Sequence, residues 1–167
     1  MDYSLSDSDI RYVIPNVNIV KYNDLAKYNS IDEVLQGKPT VILFELTENN
    51  TGHWICLFKN GDTVYFFDSY GKPIESQKKH MSKQFFRSAN YLSKMLKQSP
   101  YKVDYNAQPY QEVNPEVASC GRHCIVRLKC MDLNDLEYKQ VMSDACKEMN
   151  MSSDQVVLEL TKQHLGK

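Results

Sequence analysis

The 167-residue chain has no run approaching the roughly 18 apolar residues of a membrane-spanning helix. Its first ten residues, MDYSLSDSDI, lack the basic start and apolar core of a secretory signal peptide. A soluble, intracellular protein is expected, with no membrane partner. Neither charge is in excess: 20 Lys and Arg stand against 21 Asp and Glu, a formal net charge of -1. That leaves no electrostatic case for nucleic acid or an anionic membrane as the main partner. Internal repeats, low-complexity tracts and composition shifts are missing too, so residues 1–167 are expected to form one domain, long enough to bury about two-thirds of the unfolded surface. Five cysteines (Cys56, Cys120, Cys124, Cys130, Cys146) are an odd set for a disulfide framework. Reduced thiols are expected, one of them available for chemistry.

Several elements can be read from pattern. SIDEVLQG (30–37) has Ser30 and Glu33 in capping-box spacing and Gly37 as a stop, which predicts a short helix. TVILFEL (40–46) is a near-continuous apolar run, the mark of a strand buried on both faces. Asn60-Gly61 between HWICLF and TVYFF predicts a hairpin with those two residues in a type I′ turn. In that register Trp54 faces Phe67, and His53 faces Asp68 directly across the strands. Phe85, Ala89, Leu92 and Leu96 predict an amphipathic helix across KKHMSKQFFRSANYLSKMLK, stopped at Ser99-Pro100. YKVDYN (101–106) alternates like a strand and 106–119 reads as a loop. CGRHCIVRLKC predicts a helix beginning near Cys120, with Cys120, Cys124 and Leu128 on one stripe and Arg122 and Lys129 on another. DLEYKQVMSDACKEMN and SSDQVVLELTKQHLG read as two further helices, the second capped by Ser152 and Gln155. The order of elements predicts an α/β (α+β) domain, a central mixed sheet flanked by helices.

Two places carry candidate chemistry. A thiol at the N-terminus of a helix meets the positive end of the helix dipole, which lowers its pKa and makes Cys120 a candidate nucleophile. Small neighbours, Ser119 and Gly121, leave the sulfur accessible and backbone N–H groups free for an oxyanion. Two other readings of this cysteine exist: a small apolar residue in the core, or a metal ligand with His123 and Cys124 at i, i+3, i+4 spacing. The glycine directly after Cys120 and the lack of a second finger-like Cys/His pair favour catalysis, with no metal. The His53–Asp68 pair reads either as an oriented base or as an ion pair at the open end of a hairpin.

Taken in order, Gly-His-Trp on a strand, Phe-Asp-Ser at the end of its partner, a loop glutamine, and Ser-Cys-Gly opening a helix resemble the adenovirus-type (adenain) and SUMO-protease-like cysteine proteases. The resemblance covers about residues 41–130. It implies a papain-like, circularly permuted cysteine protease fold with the nucleophile at a helix N-terminus. By position, Cys120 would be the nucleophile, His53 the base and Asp68 the residue that orients it. Gln111 would supply the oxyanion hole, with Gln108 the less favoured alternative because Pro109 restricts it. Trp54, Gly121 and Ser119 would line the substrate, Trp54 narrowing the channel to glycine. No cofactor is implied.

The implied activity is a thiol hydrolase cleaving after glycine, in Gly-X-Gly or Gly-Gly sites of viral precursor or capsid proteins during virion maturation. The implied partner is a glycine-containing protein substrate and the implied state a monomer. The expected location is the host cell cytoplasm and the virion, or the cytoplasm or nucleus for a cellular enzyme. Removal of ubiquitin or a ubiquitin-like modifier is the alternative within the family. Acyl transfer or a non-catalytic binding role are the alternatives outside it, although no basic cluster for an acyl donor is visible.

Overall fold

The structure is a computed structural model and describes residues 3–46, 52–114 and 117–166. Five strands follow one another across the sheet in chain order: β1 (Asn18–Lys21), β2 (Thr40–Glu45), β3 (Gly52–Asn60), β4 (Thr63–Phe67) and β5 (Lys102–Tyr105). The two outer pairs, β1 with β2 and β4 with β5, are parallel, and the inner two pairs are antiparallel. The apolar run at 40–45 becomes the fully buried β2. Its alternate side chains serve two cores, Val41 and Leu43 on one face, Ile42 and Phe44 on the other.

The first face is covered by α1 (Asp7–Val13), α4 (Cys120–Lys129), α5 (Asp135–Met149) and α6 (Ser153–Leu165). The second is covered by a 3-10 segment (Tyr22–Lys27), α2 (Ile31–Leu35) and α3 (Tyr91–Gln98). Ile42 and Phe44 are fully buried, each worth roughly 1.5–3 kcal/mol relative to an exposed side chain. The mixed sheet flanked by helices is the architecture predicted from the order of elements. α1 and β1 were not anticipated; α1 carries a capping box, Ser6 with Asp9, whose acidic N3 residue departs from the usual Glu or Gln.

Local chemistry explains the boundaries. Ser30 accepts from the Glu33 N–H to start α2, and Gln36 and Gly37 end it in left-handed backbone. The helix expected from residue 78 onward begins only at Tyr91. The buried Lys78 ammonium binds the carbonyl oxygens of Ser88 and Ala89 and the side chain of Asn90, which takes those carbonyls out of any helical ladder. Leu92 and Leu96 still reach the second core, and Phe85 packs there from irregular chain. Arg122, expected on a different stripe from Cys120 and Leu128, is buried as they are, its guanidinium bound to the Tyr3 carbonyl and the Thr161 hydroxyl. Residues 115–116 of the expected 106–119 loop lie outside the described residues.

The hairpin differs in register. Asn60 pairs with Thr63 and Cys56 with Phe67, so the two loop residues are Gly61 and Asp62 instead of Asn60 and Gly61. Gly61 has φ +63° and Asp62 is not among the positive-φ residues, the pattern of a type II′ turn with glycine at its first central position. Sliding a two-residue loop by one position moves every partner by two. Trp54 therefore lies opposite Leu43 of β2 and is not the partner of Phe67. Because the shift is even, every side chain keeps its face.

Two glycines give a contrast that can be measured. A Cβ on Gly52 would sit 2.0 Å from the Phe44 carbonyl oxygen, whereas one on Gly61 would meet nothing within 4 Å. Gly61→Ala should cost about 1–2 kcal/mol through positive φ and leave the structure intact. Gly52→Ala must separate β2 from β3 beside the site, and should lower the unfolding midpoint further. Equal midpoints for the two variants would contradict the β2–β3 approach described.

Candidate active site

α4 begins at Cys120, directly after Ser119, whose side chain makes no capping bond to the helix. Cys120 Sγ instead accepts the Trp54 N–H at 3.4 Å and a backbone hydrogen bond from Gly121. The sulfur is thus held against the backbone of β3, one residue from His53. Cys120 is 7 % exposed and His53 5 %.

His53 and Asp68 lie on the same sheet face, with Ile55 and Leu57 on one strand and Val64 and Phe66 on the other. Their relation is diagonal: continuing the register by one residue past the last pair, Cys56 with Phe67, puts Ile55 across from Asp68, and diagonal neighbours remain within reach of long side chains. His53 Nε2 and Asp68 Oδ1 are 2.7 Å apart. With Nε2 so engaged, Nδ1 is the ring nitrogen left for the Cys120 thiol, whose negative charge raises the pKa of the ring. Tyr70 stacks on the imidazole with ring centroids 4.7 Å apart.

Asp68 is fully buried and saturated with donors. Oδ1 also accepts the Tyr70 N–H at 2.9 Å, and Oδ2 accepts Gln77 Nε2 at 2.9 Å. Asn106 clamps the same residue's backbone, accepting its N–H at 2.9 Å and donating to its carbonyl at 2.6 Å.

Cys120 sits where two hollows meet. One, of about 590 Å³, is bordered by Leu5, Leu43 and Trp54; the other, of about 400 Å³, by His53, Tyr70 and Gln111. Gln111 is therefore the glutamine that borders the same hollow as the thiol, while Gln108 borders a separate hollow with Tyr105 and Asp135. Gln111 is bound by its backbone N–H to the Ser69 carbonyl, and its Oε1 accepts the Ser69 hydroxyl at 2.6 Å. Its Nε2 donates to the Val117 carbonyl at 2.8 Å and reaches the Tyr70 hydroxyl at 3.3 Å.

The sequence and the fold have counterparts in known proteins. Over 164 residues, 95% of this chain and 94% of the other, the sequence is 34% identical to "Uncharacterized protein V9" of the Sputnik virophage. The chain belongs to the family of that V9 protein. No family model matches it. Among solved structures, ASFV pS273R protease superimposes with a TM-score of 0.50 at 13% identity, covering 96% of this chain and 67% of that one. SUMO protease Ulp1 gives a TM-score of 0.40 at 16% identity, over 95% and 79% of the two chains. The V9-family protein thus shares the fold of ASFV pS273R protease.

Ser119, expected to line the substrate, does not do so in this V9-family protein: it is fully buried and its hydroxyl donates to Asp154 at 2.6 Å. Gly121 lies against Leu5 and Trp54. The Cys120–His123–Cys124 cluster does not converge, because His123 Nε2 is bound to Asp154 at 2.8 Å and Cys124 is a hydrogen-bonded neighbour of Cys56. Among the described residues no group of His, Cys, Asp and Glu could hold a metal ion, and no helix is long and apolar enough to cross a membrane.

Sequence reasoning missed Tyr70, Gln77, Asn106 and Asp154. Tyr70 carried a readable signal, since Asp-Ser-Tyr-Gly is turn chemistry in which an Asp side chain accepts the N–H two residues on. The others act across 9 to 38 residues of chain, with no local pattern.

The electrostatics couple cysteine and histidine. Burial by itself would lower the His53 pKa, but the negative charge of Cys120 and the bond to Asp68 outweigh it and raise it to about 9. Burial would raise the Cys120 pKa, and the cationic His53 beside it, helped by the Trp54 and Gly121 N–H groups, pulls it below its ordinary value. Asp68 is held below the usual carboxylate range, against its own desolvation, by His53, Tyr70 and Gln77. The charged form of each group thus stabilises the charged form of the other.

Since His53 is raised in the folded state, its contribution to stability is complete below the unfolded value of about 6.5 and is lost as pH rises through about 9. The His53 ring resonances should titrate near 9 in the folded protein, and Asp68→Asn should move that midpoint down. A wild-type midpoint at the ordinary histidine value would remove the ion pair.

Proposed function

We propose that this chain is a cysteine endopeptidase of one catalytic domain, with Cys120 as nucleophile, His53 as general base and acid, and Asp68 as the residue that orients His53. The observation that carries the reading is the 2.7 Å His53–Asp68 bond behind a thiol held at 3.4 Å by the Trp54 N–H at a helix N-terminus. The likeness to ASFV pS273R protease supports the fold needed for it.

In the reaction, the Cys120 thiolate attacks the scissile carbonyl carbon and the carbonyl π electrons move onto oxygen. The oxyanion is met by N–H groups at the start of α4 and by the Gln111 amide, whose long 3.3 Å contact to Tyr70 is the one released. The imidazolium of His53 then gives its proton to the leaving amine as the C–N bond breaks, leaving a thioester. Water, deprotonated by the now neutral His53, hydrolyses that thioester and restores the thiol. Asp68 stays ionised throughout and stabilises the imidazolium.

Trp54 supports glycine on the acyl side of the cleaved bond. Only 6 % exposed, it borders the 590 Å³ hollow and lies against Gly121 beside the nucleophile, which leaves little room for a side chain at that subsite. The virophage relative supports a viral context, hence Gly-X-Gly or Gly-Gly sites in viral precursor or capsid proteins, and action as a monomer in the infected cell and virion.

The test is mass spectrometry after incubation with a short peptide vinyl sulfone ending in Gly-Gly, alongside a ubiquitin-like version. A single adduct on Cys120 from the peptide probe is expected; an adduct only with the modifier probe would replace precursor processing with deconjugation. Cys120→Ala should abolish both adduct and hydrolysis. Cys124→Ala should keep them, because burial and Cys56 hold the Cys124 thiol protonated. His53→Ala should cost more activity than Asp68→Asn, which removes orientation but leaves the base. Hydrolysis that survives Cys120→Ala would sink the assignment.

A further inference from the structure

The first turn of α6 carries a buried carboxylate that the proposed chemistry does not use. Asp154 Oδ1 accepts the Ser119 hydroxyl at 2.6 Å and His123 Nε2 at 2.8 Å, and Oδ2 accepts the Glu112 N–H at 2.9 Å. Ser119 immediately precedes Cys120, and Glu112 immediately follows Gln111. One side chain is therefore tied both to the segment that delivers the thiol and to the segment that delivers the oxyanion amide. On the other side of Gln111, the Ser153 hydroxyl donates to the Tyr110 carbonyl. The start of α6 thus grips Gln111 from both flanks.

Capping does not account for Asp154, because α6 already has a complete capping box made by Ser152 and Gln155. Nor does ion pairing. Burial holds the His123 pKa below its ordinary value despite the nearby carboxylate, and its Nδ1 has no hydrogen-bond partner among the described residues. The ring is a neutral donor fixed in one tautomer, and Asp154 is an anion held by three donors at the positive end of a helix. Three neutral donors converging on one rigid anion define a length and an angle between two loops, which a single cap would not require.

We infer that Asp154 is a positioning residue that fixes the Gln111 amide relative to Cys120 and so sets the oxyanion hole. This rests on the cysteine protease reading. It predicts a split between two chemistries of the same sulfur: attack that creates an oxyanion needs Asp154, whereas alkylation by iodoacetamide, which needs only the thiolate, does not.

The experiment measures kcat and KM on a glycine-containing peptide, affinity for a glycine aldehyde, and iodoacetamide alkylation rate, for the wild type, Asp154→Asn, Asp154→Ala and Ser119→Ala. For Asp154→Ala, kcat should fall by about 100-fold, as expected for a misplacement on the order of 1 Å, with KM little changed. Aldehyde affinity should fall in parallel, and alkylation should stay within about twofold, since the His53 pair is untouched. Asp154→Asn retains the volume, tolerates folding best, and should show the same split more weakly. Ser119→Ala removes one of the three donors and should be the mildest. The inference is overturned if folded Asp154→Asn matches the wild type in kcat, or if hydrolysis, aldehyde affinity and alkylation fall together, which would mark a general loss of structure. A wild type that neither hydrolyses peptide nor binds aldehyde would overturn the protease reading itself, and this inference with it; an active wild type beside unaffected Asp154 variants would overturn the inference alone.

Discussion

A charge can be buried at the open end of a hairpin only if it is paired and its remaining lone pairs are satisfied. The His53–Asp68 bond meets that condition, and the surrounding architecture follows from it. Asp68 stands one residue beyond β4, where the ladder has ended and backbone groups need other partners. Asn106 provides them by closing two bonds on the Asp68 backbone, which also ties the end of β4 to the chain leaving β5. Gln77 brings in the segment that follows the turn. Removing either partner of the pair would leave an uncompensated buried charge, the costly half of any buried ion pair.

The same turn assembles the side proposed for the oxyanion. Ser69 O accepts the N–H groups of both Tyr110 and Gln111, so the loop bearing the glutamine is docked on the residue after the aspartate. Gly71 makes the approach possible: it has φ +69°, and a Cβ there would lie 2.5 Å from the Gln108 carbonyl carbon. Carboxylate and amide are therefore arranged through backbone bonds about one tight turn, His53 reaches the carboxylate through its side chain, and the thiol is added from outside by α4. The electrostatic coupling of Cys120 to His53 depends on that addition, which the Trp54 N–H holds at the sheet and Asp154 at the opposite flank.

Much of this was legible in local pattern, for identifiable reasons. β2 could be read because a strand buried on both faces must be continuously apolar, and α6 because Ser152 and Gln155 spell a cap. Cys120 was legible because a small-Cys-Gly start of a helix is itself a chemical environment. Arg122, Lys78 and Asp154 were not: each is a charged residue whose burial is satisfied by partners distant in sequence, and a one-dimensional pattern assigns such residues to solvent. The long helix predicted from residue 78 failed for the same reason. Its apolar spacing is present, but Lys78 offers the Ser88 and Ala89 carbonyls a stronger partner than the next helical turn could.

The hairpin separates what a sequence can and cannot specify about a site. Asn-Gly and Gly-Asp are both competent two-residue turns, and choosing between type I′ and II′ moves each pairing by two. The choice made here sets Ile55, not His53, beside Asp68. The side-chain period of a strand is also two, so the error left His53 and Asp68 on the same face, one diagonal step apart. An imidazole spans that step where a shorter side chain would not, and the diagonal leaves room for the Tyr70 ring to stack over it. The diagonal register is thus what lets one imidazole extend along the sheet edge, with Asp68 at one nitrogen and Cys120 at the other.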